Sequence, residues 1–451
     1  MLLCSSTFHS KQYCTLQKEG NMAVFKKMSP GRFITIGFMT VILLGALILY
    51  LPISQNEGAE VAFIDALFTS TSAVCVTGLI AIDTADHFNV FGQTVLGMLI
   101  QIGGLGVTSV GVGIIILAGK KVSFKDRILV KEAYNLDSMK GIVKLVKSIL
   151  YVTLFFETIG TILSFIVFSK DYPPLKALGI SLFHSVAAFN NSGFDILGGL
   201  RNLIPYQNNV LLNLTTCGLI IFGGLGFFVI KEIIHKRNFK KFTLHSKVVI
   251  TMTAALLIIG TLTMKLTEDI TWLGAFFFST SARTAGFSTY PVGDFTNAGL
   301  FALIILMFIG ASPASTGGGI KTTTFFALIR STISVATNKH CTAFKRKMPN
   351  EIIYRAFILT FLSVVLVCID SFIISILEPQ YTFIQILFEV VSAFGTVGLS
   401  TGITPDLSVI SKLIIIFTMF IGRLGPLTIA TIWIFKPLSS VTYSEESITI
   451  G

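Results

Sequence analysis

Hydrophobic positions along the chain gather into runs of two lengths. Eight long runs lie near 32–52, 90–118, 148–168, 209–231, 244–266, 298–336, 352–377 and 409–435. Each is long enough to span the roughly 30 Å hydrocarbon core of a bilayer. Four shorter runs, near 63–74, 178–189, 271–281 and 382–393, fall between them. These are too short to cross, so the pattern predicts helices that enter the membrane and turn back. The order long, short, long recurs four times. It predicts an all-α polytopic membrane protein of four covalent repeats, at 32–118, 148–231, 244–336 and 352–435. Polar loops at 119–147, 232–243 and 337–351 separate them, with an N-terminal extension, 1–31, and a C-terminal segment, 436–451.

Register supports the repeat. The short runs align as Phe68 to Gly78, Phe183 to Gly193, Phe276 to Gly286 and Phe388 to Gly398, ten residues apart each time. Small residues precede the glycine and a large apolar residue follows it. A second glycine recurs in each following long run, at Gly103, Gly223, Gly310 and Gly422. Close helix packing in a membrane would suffice to explain this second set. It explains the first set poorly, because those glycines end short segments.

Composition narrows the class. The chain has 451 residues, 53% hydrophobic and only 13% charged, against about 25% charged in soluble proteins. A soluble enzyme, a disordered chain and a secreted disulfide scaffold are excluded. The cysteines Cys4, Cys14, Cys75, Cys217, Cys341 and Cys368 form no C-x-x-C pair and read as reduced, with no zinc site. Residues 1–31 are not a convincing signal peptide, and Met22 is a plausible alternative start.

The four short segments suggest their own chemistry. Non-helical backbone at membrane depth must be buried or line a watery cavity. Its carbonyls can replace the hydration shell of an alkali cation. Glycine supplies the positive φ needed to aim successive carbonyls at one axis. The candidate filter comprises Val76-Thr77-Gly78, Asn191-Ser192-Gly193, Thr284-Ala285-Gly286 and Thr396-Val397-Gly398. The last matches the start of the potassium-channel filter T-V-G-Y-G. No charged position is shared, so backbone coordination is expected, with fewer layers of sites and weaker discrimination among K⁺, Rb⁺ and Na⁺ than a five-residue filter gives.

On these motifs the chain resembles the Trk/Ktr/HKT superfamily of potassium transporters, specifically a bacterial Ktr-type membrane subunit, over roughly 30–451. The resemblance implies repeats built of an outer helix, a pore helix with a filter loop and a lining helix around a pseudo-fourfold central pore. It implies filter glycines at Gly78, Gly193, Gly286 and Gly398. Some plant relatives that prefer Na⁺ carry serine at the first of these, so Gly78 points to K⁺. It further implies a homodimer with the C-terminal segment, about Tyr443–Gly451, near the dimer contact. The other implied partner is a cytoplasmic ring of soluble nucleotide-binding regulatory subunits. K⁺ is the implied transported ion, with possible Na⁺ dependence and no covalent cofactor.

The sixth long run is interrupted by Gly310-Ala311-Ser312-Pro313-Ala314-Ser315-Thr316-Gly317-Gly318-Gly319. Proline and consecutive glycines break a helix. The expectation is a mobile loop below the filter that obstructs the pore, as the resemblance also implies, with a static kink as the plain alternative. Arg423 follows Gly422 within a span, where a charge is expensive and faces a cavity or partner. Its expected role is to donate to loop carbonyls as a fixed positive barrier, with a purely structural pairing as the alternative. Lys321 either joins the gate or snorkels to the cytoplasmic interface. Glu157 and Asp370 sit in outer helices, where interhelical hydrogen bonding is the expectation and ion coupling the alternative.

Other classes fit less well. Gly398-Leu399-Ser400-Thr401-Gly402 matches the G-x-S-x-G of serine hydrolases, but a pore-type helix precedes it where a strand is required. The glycines at 111–113 match no nucleotide loop. A Na⁺- or H⁺-coupled symporter remains open beside a gated pore. Finally, the net charge of +11 divides between two faces. The N-terminal extension and the three loops are strongly basic, and the opposite side is net acidic. The positive-inside rule puts both termini in the cytoplasm of a bacterial plasma-membrane protein. Cations then enter from the acidic outer face, and the basic loops face a regulator or anionic lipid, with no nucleic acid implied.

Overall fold

A computed structural model describes residues 30–134 and 139–431. Most of the N-terminal extension, part of the first basic loop, the end of the last span and the whole C-terminal segment with its expected dimer contact lie outside the described residues.

Four helices are long and apolar enough to cross a bilayer: Pro30–Tyr50, Ile142–Phe168, Leu244–Thr267 and Asn350–Leu377. These are the outer helices. They expose Leu44, Leu154, Ile258, Phe361 and Phe372, an apolar outer surface that suits lipid rather than water. Inside them lie the pore helices, Phe63–Cys75, Pro174–Phe189, Trp272–Ser281 and Phe383–Gly395. The lining segments complete each repeat. All four start on a polar N-cap (Asn89, Asn209, Thr296 or Ser408) whose side chain accepts backbone N–H bonds that the helix leaves free.

The lining segments depart from the sequence expectation, which broke only the third. The first is bent by 101° between Val90–Leu105 and Val107–Leu117, and the second by 97° between Val210–Leu225 and Phe227–Lys236. The fourth is divided into Val409–Leu424 and Pro426–Thr431. At each break stands a glycine with positive φ: Gly106 at 83°, Gly226 at 87° and Gly425 at 90°. The signature G-x-L-G at 103–106, 223–226 and 422–425 marks these points. In the third repeat Pro313 takes the same place, and helix does not resume until Thr322.

The small residues show how the layers approach. In three repeats an outer-helix glycine (Gly45, Gly160, Gly260) faces a pore-helix serine. That serine donates to a carbonyl one turn earlier on the outer helix: Ser70 to Ile42 at 2.7 Å, Ser185 to Glu157 at 2.7 Å and Ser279 to Leu257 at 2.9 Å. This corrects one alignment. Phe68 and Phe183 lie two residues before their serines, so the third equivalent is Phe277, fully buried, and not Phe276. The third pore helix is joined to its filter by a turn one residue shorter. Ala285 N–H bonds to Ser281 four residues back, whereas Thr77, Ser192 and Val397 reach five residues back. The second set of repeated glycines also finds its reason. A Cβ at Gly103, Gly223 or Gly422 would lie 2.0 Å from the carbonyl oxygen of Val74, Phe189 or Phe394. Three of the four lining helices therefore press on the ends of their own pore helices, whereas Gly310 of the third meets Gly318 O of the loop that follows it.

Candidate functional site

Each pore helix ends in a residue forced into the left-handed region: Val76 (φ 57°), Asn191 (59°), Thr284 (82°) and Thr396 (49°). Two residues later comes the repeated glycine, again with positive φ: Gly78 (89°), Gly193 (71°), Gly286 (73°) and Gly398 (95°). Left-handed β-branched residues are unfavourable and persist only where the surroundings impose them. Here the braces are visible. Ser72 and Ser392 accept the N–H of Gly78 and Gly398, each at 3.0 Å. Ser281 donates to the Phe287 carbonyl at 2.5 Å.

The four loops meet in a closed ring. A Cβ at Gly78 would lie 2.1 Å from the carbonyl oxygen of Ser192, at Gly193 2.6 Å from that of Ala285, at Gly286 2.2 Å from that of Val397, and at Gly398 2.1 Å from that of Thr77. Each glycine thus abuts the carbonyl before the glycine of the next loop, in the order one, two, three, four, one. Real Cβ atoms essentially never come that close, so side chains are excluded. All twelve predicted filter residues are buried in this ring.

The predicted gate residues lie against it. A Cβ at Gly317 would lie 2.1 Å from Thr284 Oγ1, and one at Gly318 2.4 Å from Thr396 Oγ1. Gly318 N–H donates to Thr396 Oγ1 at 2.9 Å. The loop is tied to the second lining helix by Ser312 N–H to Gly224 O at 3.1 Å and Thr316 N–H to Gly223 O at 3.4 Å. Ala314 O accepts from Phe227 N–H at 3.2 Å, and Gly319 N–H reaches Gly422 O at 3.3 Å in the fourth repeat. Gly310 N–H bonds to Ile320 O at 2.8 Å and closes the loop at its neck. Pro313 and Ser315 sit at its half-buried tip, while Ala311 is fully buried. Arg423 donates to Thr316 O in the loop and to Gly103 O and Gly104 O in the first repeat. Lys321 does not snorkel away. Its ammonium donates to Gly317 O at 2.6 Å and Gly318 O at 3.5 Å. The break points of all four repeats are therefore joined through one loop and one arginine.

The remaining polar candidates take the interhelical roles. Glu157 accepts from Asn190 at 3.2 Å, and Thr418 donates to Asp370 at 2.6 Å. Ser400 donates to Glu389 at 2.7 Å, and the backbone N–H of Thr401 and the hydroxyl of Thr404 use the same carboxylate. The G-x-S-x-G run is thus a brace behind the filter that follows a helix. The break glycines Gly106, Gly226 and Gly425 were legible as G-x-L-G but not singled out. Arg283, which the sequence did not single out, is buried next to the third filter loop.

A family model described as "TrkH: Cation transport protein" matches residues 24–441. The chain belongs to this cation-transport family. It is 40% identical over 446 residues to the potassium/sodium uptake protein NtpJ of Enterococcus hirae, covering 95% of this chain and 98% of that protein. It is 39% identical over 451 residues to the Ktr system potassium uptake protein B of Bacillus subtilis, covering 97% and 100%. Among solved structures, the potassium transporter TrkH from Vibrio parahaemolyticus aligns with a TM-score of 0.71 at 17% identity, covering 90% of this chain and 86% of that one. The family's polytopic helical fold accounts for the four-repeat architecture.

Proposed function

We propose that this TrkH-family chain is the ion-translocating subunit of a potassium uptake system in a bacterial plasma membrane. K⁺ crosses the ring at Thr77, Ser192, Ala285 and Val397 on backbone carbonyls and then passes the 310–319 loop, which gates the path. The observation that carries this reading is the ring in which each of four glycines abuts the carbonyl of the next loop. Such a ring presents backbone oxygens and no charged side chain, which suits a weakly hydrated alkali cation. The names of the relatives favour potassium as the cargo. Arg423 and Lys321 act as the pins of the gate, because each donates to loop carbonyls.

The name of the Enterococcus relative also contains sodium, which favours a second reading in which Na⁺ is coupled to K⁺ entry. Both readings share the filter. As a Ktr-like subunit the chain works as a homodimer under a cytoplasmic ring of nucleotide-binding subunits, with both termini on the cytoplasmic side. The test is ⁸⁶Rb⁺ uptake into proteoliposomes with and without an inward Na⁺ gradient. A gated pore gives uptake that follows the K⁺ gradient alone. Uptake driven uphill by Na⁺ would establish coupling, and Li⁺ passing as fast as K⁺ would refute the filter.

A further inference from the structure

Two arginines lie deep in the helical body, and their surroundings differ. Arg423 has three backbone carbonyls to donate to. Arg283, 7% exposed, has no hydrogen-bond acceptor and no carboxylate partner among the described residues, and its Nε is fully enclosed without one. It sits immediately before the left-handed residue of the third filter loop, where the other repeats carry Cys75, Asn190 and Gly395. The end of the third pore helix offers only the partial negative charge of a helix C-terminus. At that helix end Phe278 O accepts from Ala282 N–H at 2.8 Å and Thr280 O from Arg283 N–H at 3.2 Å.

Arg283 lines a small cavity with Gly224 and Ile220 of the second lining helix, Thr253 and Leu257 of the third outer helix, and Thr280. The cavity is about 10 Å³ as space open to the centre of a water-sized particle, which is room for one particle. Thr253 Oγ1 is the second buried polar atom there without a partner. Other threonines of the same helix bond to a carbonyl one turn back: Thr261, Thr263 and Thr267 at 2.7, 2.9 and 3.0 Å. A buried charge must be paired or hydrogen-bonded. The cavity offers N–H and O–H donors and no carboxylate.

We propose that this cavity is a binding site for one small monovalent anion of chloride size, held between the Arg283 guanidinium and the Thr253 hydroxyl. The ion neutralises the charge that Arg283 brings next to the third filter loop. A phospholipid headgroup or a carboxylate ligand is too large for the space. This rests on the fold and the cavity, and its test does not measure cation flux, so it stands or falls apart from the transport reading.

The full-length protein, purified in detergent in sodium gluconate, is titrated with chloride and with bromide at constant ionic strength while thermal unfolding is followed. A saturable rise of several degrees is expected for both halides. Arg283→Gln should lose the halide dependence, and Thr253→Val, close in shape, should raise the half-saturating concentration several-fold. Crystals grown with bromide should show anomalous scattering beside Arg283. Melting that ignores the halide in the unmodified protein overturns the proposal, as does a bromide crystal with scattering elsewhere and none here, which would mean a water-sized neutral occupant. If Arg283→Gln does not fold, the Thr253→Val titration and the bromide map decide.

Discussion

At the residue scale, the filter depends on pairs of left-handed residues that only packing sustains. Val76 and Thr396 are β-branched, and such residues avoid this region. Each is held by the helix end behind it, Val76 N–H to Ala73 O and Thr396 N–H to Ala393 O at 3.1 Å, and the carbonyl of the next residue, Thr77 or Val397, abuts the glycine of the adjoining loop. Replacing Gly78 by Ala puts a methyl group 2.1 Å from Ser192 O. Uptake of ⁸⁶Rb⁺ in cells lacking their own K⁺ uptake should fall on the order of tenfold or more, with the protein still present in the membrane by immunoblot. Glu378 gives a different residue-scale test. It ends the fourth outer helix and accepts from Ser408 N–H at 2.8 Å and Ser411 Oγ at 2.6 Å at the start of the fourth lining helix. Desolvation pushes its pKa up, but the bonds from Ser411, Ser408 and Gln380 outweigh it and hold the carboxyl below its usual range. A depressed carboxylate stabilises the fold above its unfolded pKa, and the gain is lost as pH falls through the folded one. Glu378→Gln should therefore cost about 1 kcal/mol at neutral pH. The difference in melting from the unmodified protein should shrink as pH falls below the ordinary carboxylate range.

At the element scale, the breaks in the lining segments decide how the 310–319 loop, the proposed gate, is held. The carbonyls at the helix ends, Gly103, Gly104, Gly223, Gly224 and Gly422, receive the 310–319 loop and Arg423, Gly103 O while also accepting from Gly106 N–H at 3.2 Å. Arg423→Ala removes donors from two repeats at once. It is expected to raise cation flux in proteoliposomes lacking any regulatory subunit several-fold, and unchanged flux would remove Arg423 from the gate. Gly226 has φ 87°, and Pro313 O lies 2.7 Å from where its Cβ would be. Gly226→Ala should disturb the same loop without touching the filter. Flux should therefore change while the relative passage of Rb⁺ and Na⁺ does not. Much of this was legible beforehand. The loop 310–319 announced itself by Pro313 and three glycines, since both residue types break helices regardless of context. The bends at Gly106 and Gly226 were not foreseen, because a single glycine inside an apolar run is compatible with a continuous membrane helix. Likewise the spacing of Phe276 suggested an equivalence that the shorter third turn removes.

At the scale of the whole molecule, four repeats in one chain must close into a ring, and the last seam joins the fourth to the first. Lys412 of the fourth lining helix donates to Asp65 of the first pore helix at 2.9 Å, with both side chains largely buried. Breaking one partner strands a buried charge. Asp65→Asn or Lys412→Met alone should lower stability by on the order of 2 kcal/mol, and the double replacement by less than the sum, as read from thermal unfolding. Additive losses would mean that the pair does not hold the seam. The sequence alone determined the class, the fourfold repeat, the four glycines of the proposed filter and the position of the 310–319 loop. Each is written in local terms: run length against bilayer thickness, glycine where no side chain fits, proline where no helix continues. Tertiary structure alone decided which carbonyl faces each glycine, where Arg423 and Lys321 donate, and that Arg283 lies inside. Apart from the Lys321 bonds, whose acceptors lie three and four residues back, those outcomes depend on partners tens to hundreds of residues away, which no local pattern encodes.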